Sequence, residues 1–128
     1  MATKILLTED DDSIQKMYAF ALNAAGFEVT LASSGAEALV RVKDQTFDVI
    51  LLDMLMSGMS GLDLLRAYDV KTKSPHTKII ALTNMTSPRI EEKARELGVS
   101  EYLEKSAYEP QQLVEHIQKL IAAPDSKR

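Results

Sequence analysis

The chain has 128 residues, of which 45% are apolar and 27% charged, and 15 Lys and Arg stand against 19 Asp and Glu for a net charge of −4. A chain of that length forms one domain that buries roughly two-thirds of its unfolded surface, and this apolar fraction with so small a charge excludes a disordered polymer. The absence of cysteine excludes disulfide frameworks, thiolate zinc sites and thiol nucleophiles, and the slight acidity argues against a nucleic-acid surface.

Ile5-Leu6-Leu7 is a short apolar run that ends at Thr8 and the acids Glu9 to Asp12. From Asp12, read as a helix cap, Ile14, Met17, Tyr18, Ala21 and Leu22 recur at helical spacing until Gly26 closes the segment. Glu28 to Ala32 alternates, with Val29 and Leu31 on one side, as a half-exposed strand does. Ser34 and Glu37 fit a capping box for a helix through Leu39 and Val42. Phe47 to Leu52 is a second buried-type run, broken only by Asp48 and ending at Asp53. A loop at 54–60 leads to a helix carrying Leu62 and Leu65 and extending toward Tyr68 or Asp69, stopped by Lys73-Ser74-Pro75. Ile79 to Leu82 is a third run and ends at Thr83. Ser87-Pro88 caps and opens a helix that stops at Gly98. Glu101 to Glu104 is a short strand before Lys105. Pro110 opens a last helix striped by Leu113, Val114, Ile117, Leu120 and Ile121, and the domain is expected to span 1–123 with 124–128 as a polar tail.

Five strands alternating with five helices imply an α/β fold, a doubly wound parallel sheet. The three all-apolar runs belong in its centre and the strands at 28–32 and 101–104 at its edges. The order 2-1-3-4-5 of a flavodoxin-like (βα)5 domain satisfies this with right-handed crossovers, and its ligands bind at the carboxyl ends of the strands. No apolar run approaches the ~20 residues that span a bilayer, and the amino terminus lacks a small-residue cleavage site, so the expected location is the cytoplasm, with no membrane partner.

Under that topology the acids after the first strand, Asp53, Thr83 and Lys105 share one rim. Singly, each has an ordinary explanation as a cap, a turn former, a strand threonine or a solvated lysine. Together they point to a cation, because two unit charges 4 Å apart repel by about 4 kcal/mol at an effective dielectric of about 20. Oxygen-only ligation without Cys or His selects a hard ion, and few carboxylates with several waters suit Mg²⁺. The consecutive acids do not fit an EF-hand, which alternates them around a glycine. A divalent ion, a hydroxyl and an ammonium around one carboxylate are the parts that accept a phosphoryl group.

These residues resemble the receiver domain of two-component response regulators over about residues 4–122. The resemblance rests on Lys-Ile-Leu-Leu-Thr-Glu9-Asp10-Asp, Asp-Val-Ile-Leu-Leu-Asp53, Gly61 eight residues further on, Ala-Leu-Thr83, and Tyr102 three residues before Lys105. It implies that Asp53 is the phospho-acceptor, that Asp10 binds Mg²⁺ directly, that Glu9 holds a metal-bound water, and that the backbone carbonyl of Leu55 completes the protein ligands. Thr83 and Lys105 would assist the transfer. Thr83 and Tyr102 would form the switch pair, remodelling a face made by the fourth helix, fifth strand and fifth helix. The implied donor is a phosphohistidine on a sensor histidine kinase or histidine phosphotransfer domain, docking near Ile14 and the loop after Lys105, and the downstream target is a protein. The domain would promote only its own phosphorylation and dephosphorylation, without being an enzyme.

The chain departs from the family in having Ser57 four residues after the acceptor and Ser106 after the lysine, each in place of a common proline. A cis bond to a non-proline residue costs roughly 3 kcal/mol, so a trans 105–106 peptide is expected. Met54, Met56 and Met59 read as gap-fillers, His76 and His116 as surface residues, Asn84 as a turn former or ligand contact, and Glu91 with Arg95 as a solvated pair. Leu55 and Met85 flank the acceptor and the hydroxyl, where apolar groups would shield an acyl phosphate. The main alternative is a Mg²⁺-dependent phosphohydrolase of the haloacid dehalogenase type, which wants an acid two residues after its nucleophile, where Leu55 stands. A flavin or nucleotide binder would place a phosphate loop where this chain has four acids, and a phosphorylation-independent adaptor would not need the complete residue set. Ending soon after the last helix, the chain is expected to be a stand-alone receiver without an output domain, the other possibility being a receiver fragment of a larger regulator.

Overall fold

The structure is a computed structural model that describes residues 2–56, 58–84 and 87–122. Ser57, Met85 and the end of the chain from Ala123, with the expected domain boundary and tail, lie outside the described residues. The elements run β1 (Lys4–Thr8), α1 (Asp12–Ala24), β2 (Glu28–Ala32), α2 (Gly35–Asp44), β3 (Val49–Asp53), α3 (Gly61–Ala67), α4 (Val70–Lys73), β4 (Lys78–Thr83), α5 (Pro88–Glu96), β5 (Glu101–Glu104), a 3₁₀ turn (Lys105–Ala107) and α6 (Pro110–Ala122).

All strands are parallel, in the order β2-β1-β3-β4-β5. The three apolar runs form the centre, and every residue of β3 is buried. The edges are β2, in which only Ala32 is fully buried, and the short β5. Successive side chains point to opposite faces, which divides the core in two. Leu6, Ile50, Leu52, Ile79, Ala81 and Tyr102 lie on one face with Val42 of α2, Leu64 of α3 and Ala94 of α5. Ile5, Leu7, Val49, Leu51, Ile80, Leu82 and Leu103 lie on the other with Tyr18 and Leu22 of α1 and Leu113 and Ile117 of α6.

The local signals mostly act where expected. Gly26 and Gly98 follow α1 and α5 at φ of 94° and 107°, a conformation that only glycine adopts without strain. Ser87 caps α5, with Pro88 at its first position, and Glu91 pairs with Arg95 at 2.9 Å. Several expectations need correction. The cap of α1 is Asp11, whose carboxylate accepts from Ile14 N–H at 2.9 Å, whereas Asp12 is already helical and pairs with Lys16. In the box at α2, Ser34 accepts from Glu37 N–H as expected, but the Glu37 carboxylate reaches back to Ser33 N–H at 2.8 Å, one residue further. The single helix expected after the loop is two, because the chain is extended at Tyr68 and Asp69 caps a new turn by accepting from Thr72 N–H. The described residues therefore hold six α-helices, not five. Leu31 is 39% exposed while Val29 packs against the core. His76 is exposed, but His116 is half-buried, edge-on to the Tyr108 ring and 3.5 Å from Glu101. Met54 and Met56 are buried and Met59 packs against the same cluster. Among the described residues there is no cis peptide, Lys105–Ser106 included, and no helix is long and apolar enough to cross a membrane.

Candidate functional site

The carboxyl ends of the central strands deliver the site. Beyond β1 the ladder continues for one residue, Glu9 N–H donating to Ala32 O at 3.0 Å, so Glu9 is held in strand register with its side chain 2% exposed. Asp10 follows on the exposed rim. Asp53 closes β3 and is 3% exposed. Its N–H donates to the Thr8 hydroxyl at 3.2 Å, and that hydroxyl donates to Leu51 O at 2.8 Å, tying the ends of β1 and β3 together. One Asp53 oxygen accepts from Leu55 N–H at 3.0 Å, and the other accepts from the Lys105 ammonium at 3.0 Å. Thr83 ends β4, buried, one residue beyond Leu82, the register partner of Asp53. Lys105 leaves β5 into the 3₁₀ turn with its side chain 8% exposed.

The Lys105 ammonium also sits 2.8 Å from Glu9 Oε1. The contact is a buried ion pair, and a carboxylate oxygen with two lone pairs keeps acceptor capacity beside one ammonium. Glu9 Oε2 accepts from Asp11 N–H at 3.1 Å. Burial raises the Glu9 carboxyl above its ordinary 4.5, with the Asp53 charge adding to the rise and Lys105 and Asp11 N–H pulling against it. Burial alone would lower the Lys105 ammonium, but its contacts with Glu9 and Asp53 more than reverse this and hold it above its ordinary 10.5.

Carboxylate oxygens of Glu9, Asp10 and Asp53 lie within 4.8 Å of one another. One lysine cannot neutralise three such groups. The donor set is all oxygen, and the buried Glu9 Oε1 can still accept, so these residues fit a small hard dication that keeps part of its water shell. The structure thus brings Glu9, Asp10, Asp53 and Lys105 together, with Thr83 at the adjoining strand end. Leu55 meets the site through its backbone N–H, and its side chain is 63% exposed. Tyr102 is 9% exposed and packs within the core beside β4. Asn84 is exposed after Thr83.

Two residues of the site were not foreseen. Thr8 looks like any strand threonine until its hydroxyl is seen bridging β1 and β3. Gln15, 5% exposed, donates from α1 to Glu9 just beyond β1, to the last residue of β2 and to Ser33 after it. The available signal was an amide between Ile14 and Tyr18 on a helix face that is otherwise core.

A parallel α/β domain with clustered acids, a hydroxyl and a buried lysine on its carboxyl rim belongs to the class built to hold a cation beside an anion. The family description "Response regulator receiver domain" matches residues 5–118. Sensory transduction protein RegX3 of Mycolicibacterium smegmatis is 30% identical over 119 residues, which are 93% of this chain and 50% of that protein. Chemotaxis protein CheY4 of Vibrio cholerae superposes with a TM-score of 0.82 at 33% identity, over 93% of this chain and 98% of its own. Response regulator protein TrrA of Thermotoga maritima, solved in complex with Mg(2+)-BeF, superposes at 0.78 with 30% identity, over 92% and 98%. The chain belongs to the response regulator receiver domain family, the signalling switches of two-component systems. It spans about half the length of the curated relatives it matches.

Proposed function

We propose that Asp53 accepts a phosphoryl group from a phosphohistidine, and that the acids around it hold Mg²⁺. Each Asp53 oxygen accepts one hydrogen bond, from Leu55 N–H or Lys105, so a lone pair remains for in-line attack on phosphorus. The new O–P bond replaces the P–N bond of the donor, whose electron pair returns to the imidazole ring. Lys105 then neutralises a phosphoryl oxygen, and the Thr83 hydroxyl donates to another. Asp10, Asp53 and the Leu55 carbonyl would be direct ligands and Glu9 would hold a metal-bound water. When bound, Mg²⁺ supplies charge neutralisation to the equatorial oxygens. TrrA, solved with Mg(2+)-BeF, supports that assignment.

The observation that carries this reading is the Asp53 carboxylate held 3.0 Å from a buried ammonium inside a 4.8 Å cluster of three acids. Thr83 and Tyr102 would pass the change to the face of α5, β5 and α6, where a protein target reads it. The donor, on a sensor kinase or phosphotransfer domain, would dock near Ile14 and the turn after Lys105. Turnover of external phosphate esters has no support, because Leu55 offers no acid or base where that chemistry needs one.

Intact mass after incubation with phosphoramidate and Mg²⁺ tests the proposal. Wild type should gain one phosphoryl unit and Asp53→Asn none. No gain in wild type, or an equal gain in the variant, would reject it.

A further inference from the structure

The Gln15 side chain sits in the first turn of α1, is buried, and faces three acceptors. Its Nε2 lies 3.1 Å from Glu9 O, 3.3 Å from Ala32 O and 3.2 Å from Ser33 Oγ. An amide nitrogen has two hydrogens and no acceptor capacity, so it is shared among all three. Ala32 O also accepts from Glu9 N–H. Glu9 is therefore held at both of its main-chain polar groups, the N–H by β2 and the C=O by Gln15. That C=O belongs to the peptide joining Glu9 to Asp10, two of the three clustered acids. Rotation of this peptide plane would change the spacing of the two carboxylates, and the Gln15 amide opposes that rotation by anchoring it to the exit of β2.

We propose that Gln15 is a positioning residue for the cation site, setting Mg²⁺ affinity by fixing the Glu9–Asp10 peptide against Ala32 and Ser33. The inference rests on the assignment of Mg²⁺ to these acids. A buried amide that only satisfied carbonyls would affect folding stability and leave the affinity of the folded protein unchanged. Partners that orient metal ligands typically change affinity 10- to 100-fold when removed.

The test measures the Mg²⁺ dissociation constant by titration calorimetry and, separately, urea stability without Mg²⁺, for wild type, Gln15→Met and Asp69→Ala. Methionine is similar in length and has no N–H. Asp69 caps the remote turn α4 and serves as a purely structural control. Gln15→Met should bind Mg²⁺ about ten-fold more weakly, and Asp69→Ala should lose stability at unchanged affinity. Wild-type affinity in Gln15→Met would overturn the inference whatever its stability. Should that variant fail to fold, Gln15→Asn, which keeps the donor on a shorter arm, should show the same direction of change, and wild-type affinity there would overturn it equally. A wild type that binds no Mg²⁺ would instead remove the proposed cation site, a failure distinct from the other two.

Discussion

Lys105 follows the edge strand β5, two places across the sheet from β3, yet its ammonium donates to Asp53 Oδ2 at 3.0 Å. The side chain reaches past the end of β4 and is buried on the way. In that position it offsets part of the repulsion among the acids by pairing with Glu9 and Asp53, and under the proposed function it supplies the counter-charge for a phosphoryl oxygen on Asp53.

Lys105→Met should therefore have separable effects. Removing one partner from a buried pair costs about 3 kcal/mol, and this should appear as lost urea stability in the absence of Mg²⁺. Added Mg²⁺ should recover part of it by mass action. Phosphoryl incorporation from phosphoramidate should slow even at saturating Mg²⁺. Because the Lys105 ammonium is held above 10.5, its contribution is fully present below that pH and is lost as pH rises through the higher folded value.

Glu9 works in the opposite sense. Burial first, with the Asp53 charge adding, raises its carboxyl above 4.5. The charged form is thus disfavoured in the metal-free fold, and the stability contributed by Glu9 is present below about pH 4.5 and lost as pH rises through its folded value. Glu9→Gln should be more stable than wild type in urea at neutral pH without Mg²⁺, and should bind Mg²⁺ more weakly.

Tyr18 is buried in α1, and its hydroxyl is raised above 10.0 chiefly by that burial. The neutral phenol is favoured in the fold, so its contribution is present below pH 10 and lost as alkaline pH passes the raised value. A phenolate step above pH 10 should be seen when absorbance is followed during alkaline titration, and Tyr18→Phe should remove that step.

Gly61 opens α3 against the segment that carries the acceptor. A Cβ there would lie 2.7 Å from Met54 Sδ, 3.1 Å from Met54 Cα and 3.2 Å from Asp53 O. The sulfur can move, but the two backbone atoms belong to the strand end. Gly61→Ala should cost about 1–3 kcal/mol in urea unfolding and slow phosphoryl incorporation by displacing Asp53, whereas Ser60→Ala, which breaks only the capping box of α3, should cost about 1 kcal/mol with little effect on rate.

The order of the sheet was legible because each signal was strong and consistent. Runs such as Ile79 to Leu82 are apolar on both faces, as only interior strands of a covered sheet are, and Gly26, Gly98 and Pro88 mark helix ends for backbone reasons that tertiary contacts do not override. The acids, Thr83 and Lys105 then shared a rim as a consequence of strand order. What escaped depended on geometry invisible to spacing. Asp11 and Asp12 are equally good caps by type, and only the extended backbone at Asp11 chooses between them. The break at Tyr68 follows from packing, since the ring lies against the core and under the Lys73 ammonium at 4.9 Å, while nothing local forbids a continuous helix there. The helix face of His116 predicts a surface residue, but Tyr108 after the 3₁₀ turn packs edge-on against its ring. Thr8 and Gln15 act through single hydrogen-bonding atoms on elements that otherwise read as core.

Where the phosphoryl group lands decides the account most directly. Wild-type protein incubated with phosphoramidate and Mg²⁺ should be reduced with borohydride, which converts an aspartyl phosphate to homoserine, then digested and sequenced by mass spectrometry. Homoserine at position 53, absent when Mg²⁺ is chelated, is the predicted result. Homoserine at position 10 or another acid with Asp53 intact, or a phosphoryl group retained on a histidine or hydroxyl side chain, would contradict it.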